Sequence, residues 1–333
     1  MYLSITLTTE EIEILKDLAS QFTTTPSKNP ELFCKEAKDL SSMIPKRLKQ
    51  VLMAFAKNGT SSGFFLIEGA PLMFDNQVLS STPPSNIYRI GETTLLSRIQ
   101  AILIHVIAEM ISYEAEGRGY LFQDVVPTKS MAQEQTSLSS NIELEIHTEQ
   151  AFSNVKPDIL SLACLRGDSN ALTHILPVGI LLDQLTSEER SFLREPLWKI
   201  GVDLSFKMYG QDFKDGYLRG PLPILSGPEY DPTLIFDQDL MIGLTQRAND
   251  MIRRIVGIYH KHKLSHCLRA GQIIMVDNRR AVHGRSAFYP KYDGYDRFLI
   301  RCFAVFDLER TSYARETDED NKSCSRMVKA YYS

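Results

Sequence analysis

Apolar positions recur along this chain in three rhythms, and each rhythm predicts a different element. Near the start, Ile12, Leu15, Leu18, Ala19 and Phe22 return every three or four residues behind Thr8-Thr9-Glu10-Glu11. That spacing is the buried stripe of a helix, and a hydroxyl three residues ahead of a carboxylate is the capping box that opens one. Further helices are expected around 45–55 after a polar linker, across 95–111, from the capped Thr186-Ser187-Glu188-Glu189, and over 240–262. The second rhythm is strict alternation: Ile142, Leu144 and Ile146 against Glu143, Glu145 and His147, a half-buried strand. The third is the short continuous run, at 63–69, 272–277 and 297–306, which predicts strands buried on both faces.

These elements suggest an α+β chain of one domain. Residues 1–60 form a helical preface packed on the core, 61–312 the strand-rich core with insertions, and 313–333 a tail whose acidic part, 316–322, is expected to be solvated. Residues 81–87 make a loop. Segment 208–232, rich in Gly, Pro and Tyr, is expected to be an ordered excursion rather than a strand pair, and a candidate lid.

Composition narrows the function classes. With 333 residues and 43% hydrophobic content the chain can bury a large core, and a net charge of -4 gives no footing for nucleic acid. No apolar run reaches the roughly 18 residues that span a bilayer. The opening Met1-Tyr2-Leu3-Ser4-Ile5 lacks the basic and apolar regions of a secretory signal. Five scattered cysteines argue against a disulfide framework and for a reducing cytoplasm.

The candidate chemistry lies in His147-Thr148-Glu149, Val282-His283-Gly284-Arg285 and Arg297. Two imidazoles and a carboxylate can hold Fe(II) with three positions open, and an arginine can anchor a dicarboxylate. One His-x-acid pair is expected about once by chance in such a chain, so spacing alone equally allows a surface strand end with a solvated Glu149. Arg297 and Arg301, four apart on an apolar strand, share a face; their partner is an anionic ligand or an acid of the protein. The histidines and cysteine of 260–267 sit at the basic end of an expected helix and are read as solvated rather than as a zinc site.

The stretches His147-Thr148-Glu149-Gln150-Ala151-Phe152, Lys156-Pro157-Asp158 and Leu162-Ala163-Cys164-Leu165-Arg166 resemble the clavaminate-synthase-like Fe(II)/2-oxoglutarate oxygenases. So do Asp277-Asn278, Val282-His283-Gly284-Arg285 and Asp293-Gly294 through Asp296-Arg297-Phe298-Leu299 and Arg301. The nearest branch is the hydroxylases of free arginine, lysine or asparagine. The resemblance implies a double-stranded β-helix (jelly-roll) core and His147, Glu149 and His283 as iron ligands, with 2-oxoglutarate and O2 as co-substrates. It places Arg297 and Thr173 on the distal carboxylate of 2-oxoglutarate, and Arg301 on the substrate α-carboxylate. Ser137 and Gln123 fall where relatives contact substrate, with ordinary loop capping as the alternative.

Asp237 and Asp239 match acids that meet the substrate side chain, and would suit an ammonium or guanidinium; either would also cap a helix starting at Leu240. The expected reaction is hydroxylation of free lysine or arginine at C3 or C4, giving succinate and CO2. An asparagine hydroxylase or a desaturase of the same family is the alternative, and a non-catalytic or hydrolytic metal-binding jelly roll is the alternative of another class. Glu149 argues against halogenation, since related halogenases carry a small residue there. Oligomeric state leaves no mark in this pattern.

Overall fold

In the computed structural model, which describes residues 4–209, 217–317 and 324–329, two sheets close on one hydrophobic core. The larger sheet runs Ser4–Thr6, Phe64–Glu68, Ile273–Asp277, Ile159–Arg166, Phe298–Val305, Glu109–Tyr113, Cys324–Val328, Arg315–Thr317, with Gln123–Val125 also paired to Phe298–Val305. The smaller runs Leu264–Cys267, Leu172–Pro177, Ala281–Arg285, Leu144–His147. From Leu264 to Val305 the chain crosses between the sheets at each turn, so sequence neighbours end on opposite walls.

Period-two alternation decides which side chains see the interior. In the larger sheet Phe298, Ile300, Cys302 and Ala304 pack outward with the helices, while Leu299, Phe303 and Val305 join the core between the sheets. Arg297 and Arg301 are in phase with the inward set. Ile274 and Val276 likewise face inward, and Ile273 and Met275 outward.

The outward face is covered by the preface. Helix Thr9–Ser20 opens with the expected capping box between Thr8 and Glu11, and Lys46–Asn58 follows Pro45. The stretch read as a polar linker contains a further helix, Pro30–Ser41, capped by Asn29 with Pro30 at its start. Its stripe of Phe33, Cys34, Ala37 and Leu40 is buried. Those residues share a cluster with Leu15, Leu52, Phe55, Phe65 and Ile67.

Three other expectations are corrected. The run 95–111 is not one helix: Leu95–Ile104 ends at His105, and Glu109–Tyr113 is a strand against Phe303–Val305. Uniform apolarity cannot separate a buried helix from a buried strand. The 240–262 helix begins later, at Gln246, capped by Thr245, because Met241–Gly243 pairs with Trp198–Gly201. Segment 208–232 is not strandless: Leu218–Leu222 pairs with Trp198–Gly201, and Leu225–Ser226 with Thr233–Leu234. Its residues 210–216 lie outside the described residues. Beyond residue 312, Arg315–Thr317 and Cys324–Val328 extend the larger sheet, whereas 318–323 lie outside the described residues. Among the described residues no helix is long and apolar enough to cross a membrane.

Candidate metal centre and substrate cavity

The smaller sheet brings two histidines together. His283 is the register partner of His147, and their ring centroids are 4.4 Å apart. Gly284 makes this approach possible, since a Cβ there would stand 2.6 Å from the Leu144 carbonyl oxygen. The Glu149 backbone is clamped by Asn278, whose Oδ1 accepts from Glu149 N at 2.7 Å and whose Nδ2 donates to the carbonyls of Glu149 and Pro157. The clamp sets Glu149 Oε2 3.2 Å from His283 Nε2 and 3.9 Å from His147 Nε2. Among the described residues these three are the only group able to hold a metal, with ligand atoms all within 4.8 Å of one another. No comparable group forms at 260–267, where His260, Lys261 and His262 close a helix.

The protonation pattern suits a cation. His147 Nδ1 lies 2.8 Å from the Glu145 carbonyl oxygen, which can only accept, so Nδ1 donates there and Nε2 is the nitrogen turned toward Glu149. Burial, then His147, lowers the pKa of His283. Burial pushes the Glu149 carboxyl up, but Arg301, His283 and His147 together hold it down at about 2. Two imidazoles beside an ionised carboxylate are a donor set that a divalent metal takes.

The trio opens into a cavity of about 590 Å³, within the size range of ordinary ligand sites. At one end stand Arg297, Arg285 and Thr173. Arg297 is buried and forms no ion pair among the described residues; burial depresses its pKa. The Thr173 hydroxyl is buried without a hydrogen-bond partner. A guanidinium and a hydroxyl that both line the cavity without partners among the described residues fit a carboxylate, and with the trio they fit a ferrous ion carrying a dicarboxylate.

Arg301 differs from its strand-mate. It donates to Glu149 Oε1 at 3.1 Å, to Glu116, and to Gln123 Oε1 through Nε at 3.1 Å. The alternative of a protein salt bridge therefore holds for Arg301 and fails for Arg297. Gln123, opposite Arg301 in register, accepts from this guanidinium through Oε1 and donates through Nε2 to the Glu116 carbonyl at 3.4 Å, so it braces both Arg301 and the adjoining loop. Ser137 is half-buried on the cavity wall; the capping bonds of its loop are made by Thr136 and Ser139.

The opposite wall is acidic. Asp237 and Asp239 line it, and Asp237 sits directly across from His147 in an isolated bridge. Asp237 Oδ1 also accepts from Leu240 N at 2.8 Å, so the capping geometry forms, but on a turn and not on a helix. Burial raises Asp237 to about 6. Glu145 lines the same wall, its pKa raised by burial and then by Asp239 and Asp237.

Sequence reasoning missed Glu116, Glu145, Asp203 and the orienting Asn278. Glu116 and Asp203 come from segments with no motif, whereas Asn278 lies inside a recognised stretch without a role assigned to it and Glu145 stands just ahead of another. None of the described residues of 217–232 lines the cavity; Asp203, Leu204 and Lys207 do.

Residues 230–303 match the model of the taurine catabolism dioxygenase TauD, TfdA family. The chain is 43% identical to an L-lysine 3-hydroxylase of Catenulispora acidiphila over 99% of its own length and 89% of the relative's. It is 28% identical to an L-asparagine oxygenase of Streptomyces coelicolor, covering 94% and 93% of the two chains. A solved asparagine oxygenase with Fe(II), 2S,3S-3-hydroxyasparagine and succinate superposes with a TM-score of 0.87 at 27% identity, over 98% of this chain and 99% of that one. With the trio, the unpaired Arg297 and this kinship together, the chain belongs to the TauD/TfdA dioxygenases, in the branch of Fe(II)- and 2-oxoglutarate-dependent amino-acid hydroxylases.

Proposed function

We propose that the chain hydroxylates free L-lysine at side-chain C3, on a single domain whose two-sheet winding is a double-stranded β-helix. The observation that carries the reading is the charge layout of one cavity: a largely buried His-Glu-His trio with, among the described residues, an arginine without an ion pair on one side and acids without one on the other. An acidic wall suits a cationic side chain better than an amide, and the relative at 43% identity is named for lysine and for C3.

In this reading His147, Glu149 and His283 hold Fe(II), which when bound couples oxidative decarboxylation of 2-oxoglutarate by O2 to substrate hydroxylation, giving succinate and CO2. Arg297 and Thr173 take the distal carboxylate of 2-oxoglutarate. Arg301 takes the substrate α-carboxylate, and Glu116 beside it accepts the α-ammonium, so an existing ion pair is matched to a zwitterion. Gln123 keeps Arg301 in place, and Ser137 offers its hydroxyl to the amino-acid backbone. Asp237 and Asp239 receive the side-chain ammonium, which fixes the carbon presented to the metal. The wall from Asp203 to Lys207, rather than 217–232, serves as the lid that excludes water. The free thiols of Cys34, Cys164, Cys267 and Cys302 accord with a reducing, cytoplasmic setting.

Purified protein incubated aerobically with Fe(II), ascorbate, 2-oxoglutarate and single L-amino acids tests this. Succinate formed in step with a product one oxygen heavier from lysine is expected, with the new hydroxyl on C3 by NMR. Coupled turnover with asparagine but not lysine overturns the substrate, and no coupled succinate with any amino acid overturns the reaction.

A further inference from the structure

Glu145 stands two residues before His147 on the strand Leu144–His147, so both side chains fall on the cavity face while Ile146 between them is fully buried in the core. Its backbone is pinned, with N donating to Gln135 Oε1 at 3.1 Å. Its carboxylate accepts a hydrogen bond from the Gln238 side chain, and the charges that act on it, those of Asp239, Asp237 and Glu143, are all negative. Glu143 has partners of its own in Lys263 and Tyr259. Glu145, Asp237 and Asp239 form no ion pair with any lysine or arginine among the described residues. Among the described residues, then, three carboxylates of one cavity lining carry no lysine or arginine ion pair, an arrangement that costs stability until a cation arrives.

The cluster does not stand alone. It shares its cavity with the unpaired Arg297 and with the Thr173 hydroxyl, which is buried and without a partner, so the enclosure is built for a bound molecule. The shape of the acid set then bears on which cation fits. An ammonium is a compact charge with three N–H groups spread tetrahedrally, whereas a guanidinium is a planar fork best met by carboxylates lying in its plane. Asp237 and Asp239 come from the turn after Phe236, and Glu145 from the neighbouring strand, so donors are received from two different backbone directions.

We propose that Glu145 is a third carboxylate for the substrate side chain and selects an ammonium over a guanidinium. The inference rests on the lysine reading above and deepens it. Each N–H of the ammonium would meet a separate acid, and removing one acid would leave one N–H unpaired.

Glu145→Gln keeps the shape and the bond to Gln238 while removing the charge. Binding of L-lysine, L-arginine and L-norleucine to the anaerobic Fe(II)/2-oxoglutarate enzyme would be measured by calorimetry, with 2-oxoglutarate affinity as the control for an intact site. L-Lysine should bind about tenfold more weakly in the variant, L-arginine less than about threefold, and L-norleucine and 2-oxoglutarate equally well. An unchanged Kd for lysine, or an equal loss for all three amino acids, overturns the role of Glu145. If the wild type itself binds lysine no better than norleucine, the lysine reading falls and this inference with it. Should the glutamine variant misfold, Glu145→Asp carries the test, because a shortened acid should weaken lysine and leave norleucine alone.

Discussion

The two ends of the cavity are built differently. At the cationic end Arg285 and Thr173 are register partners on adjacent strands, and Arg297 stands at the mouth of the next strand in the chain. Arg285 is fixed further by donating to the carbonyls of Ser139 at 2.6 Å, Ile142 at 3.1 Å and Ser286 at 3.0 Å. At the acidic end Asp237 and Asp239 sit on a turn, Glu145 on an edge strand, and Asp203 just before a short helix. The contrast is between groups carried mainly on paired strands and groups carried mainly on turns. An end that binds the same dicarboxylate at every turnover gains from strands, where each rotamer is locked by neighbours. An end that defines the amino acid gains from loops, which exchange residues without disturbing the sheets.

Substitutions at the two ends should therefore fail in different ways. The largest effect is expected for Arg297→Ala, which leaves a buried carboxylate unpaired: 2-oxoglutarate should bind at least about 100-fold more weakly, with Fe(II) affinity nearly unchanged. Titration of both ligands checks this, and equal losses for metal and dicarboxylate would erase the division of labour. Next comes Asp239→Asn, for which kcat/KM with lysine should fall about tenfold, while 2-oxoglutarate KM holds. Parallel kinetics with lysine and a neutral analogue measure the selectivity, and an equal fall for both would move Asp239 from recognition to folding. The smallest change is expected for Thr173→Val. Losing one hydroxyl to a charged acceptor should raise the 2-oxoglutarate KM by roughly tenfold or less, and Thr173→Ser should restore it. A rise in lysine KM instead would place Thr173 at the wrong end.

The cationic end was also the more legible in sequence. Arg297 and His283 lie within one contiguous motif because two successive strands carry them, and strand alternation tells which residues face inward. His147 and Glu149 were readable for the same reason, once the alternation around Ile146 placed them at a strand end. The acidic end was half visible. Asp237 and Asp239 were open to reading as a helix cap, and the chain does form that capping bond, but the strand Met241–Gly243 displaces the helix. Glu116 and Asp203 left no local signal, since a lone acid in a loop is ordinarily solvated.

The sequence by itself determined the alternating strands, the capped helices, and the ligand chemistry carried by short motifs, because those depend on periods of two and 3.6 residues and on neighbours in the chain. Only the tertiary structure decided that Arg301 meets Glu116 and Glu149 while Arg297 forms no ion pair among the described residues, although the two arginines share one strand face. It also decided that Glu145 joins Asp237 and Asp239. The pairing of a buried charge is settled by which distant segment packs against it, and that is a property of the folded core alone.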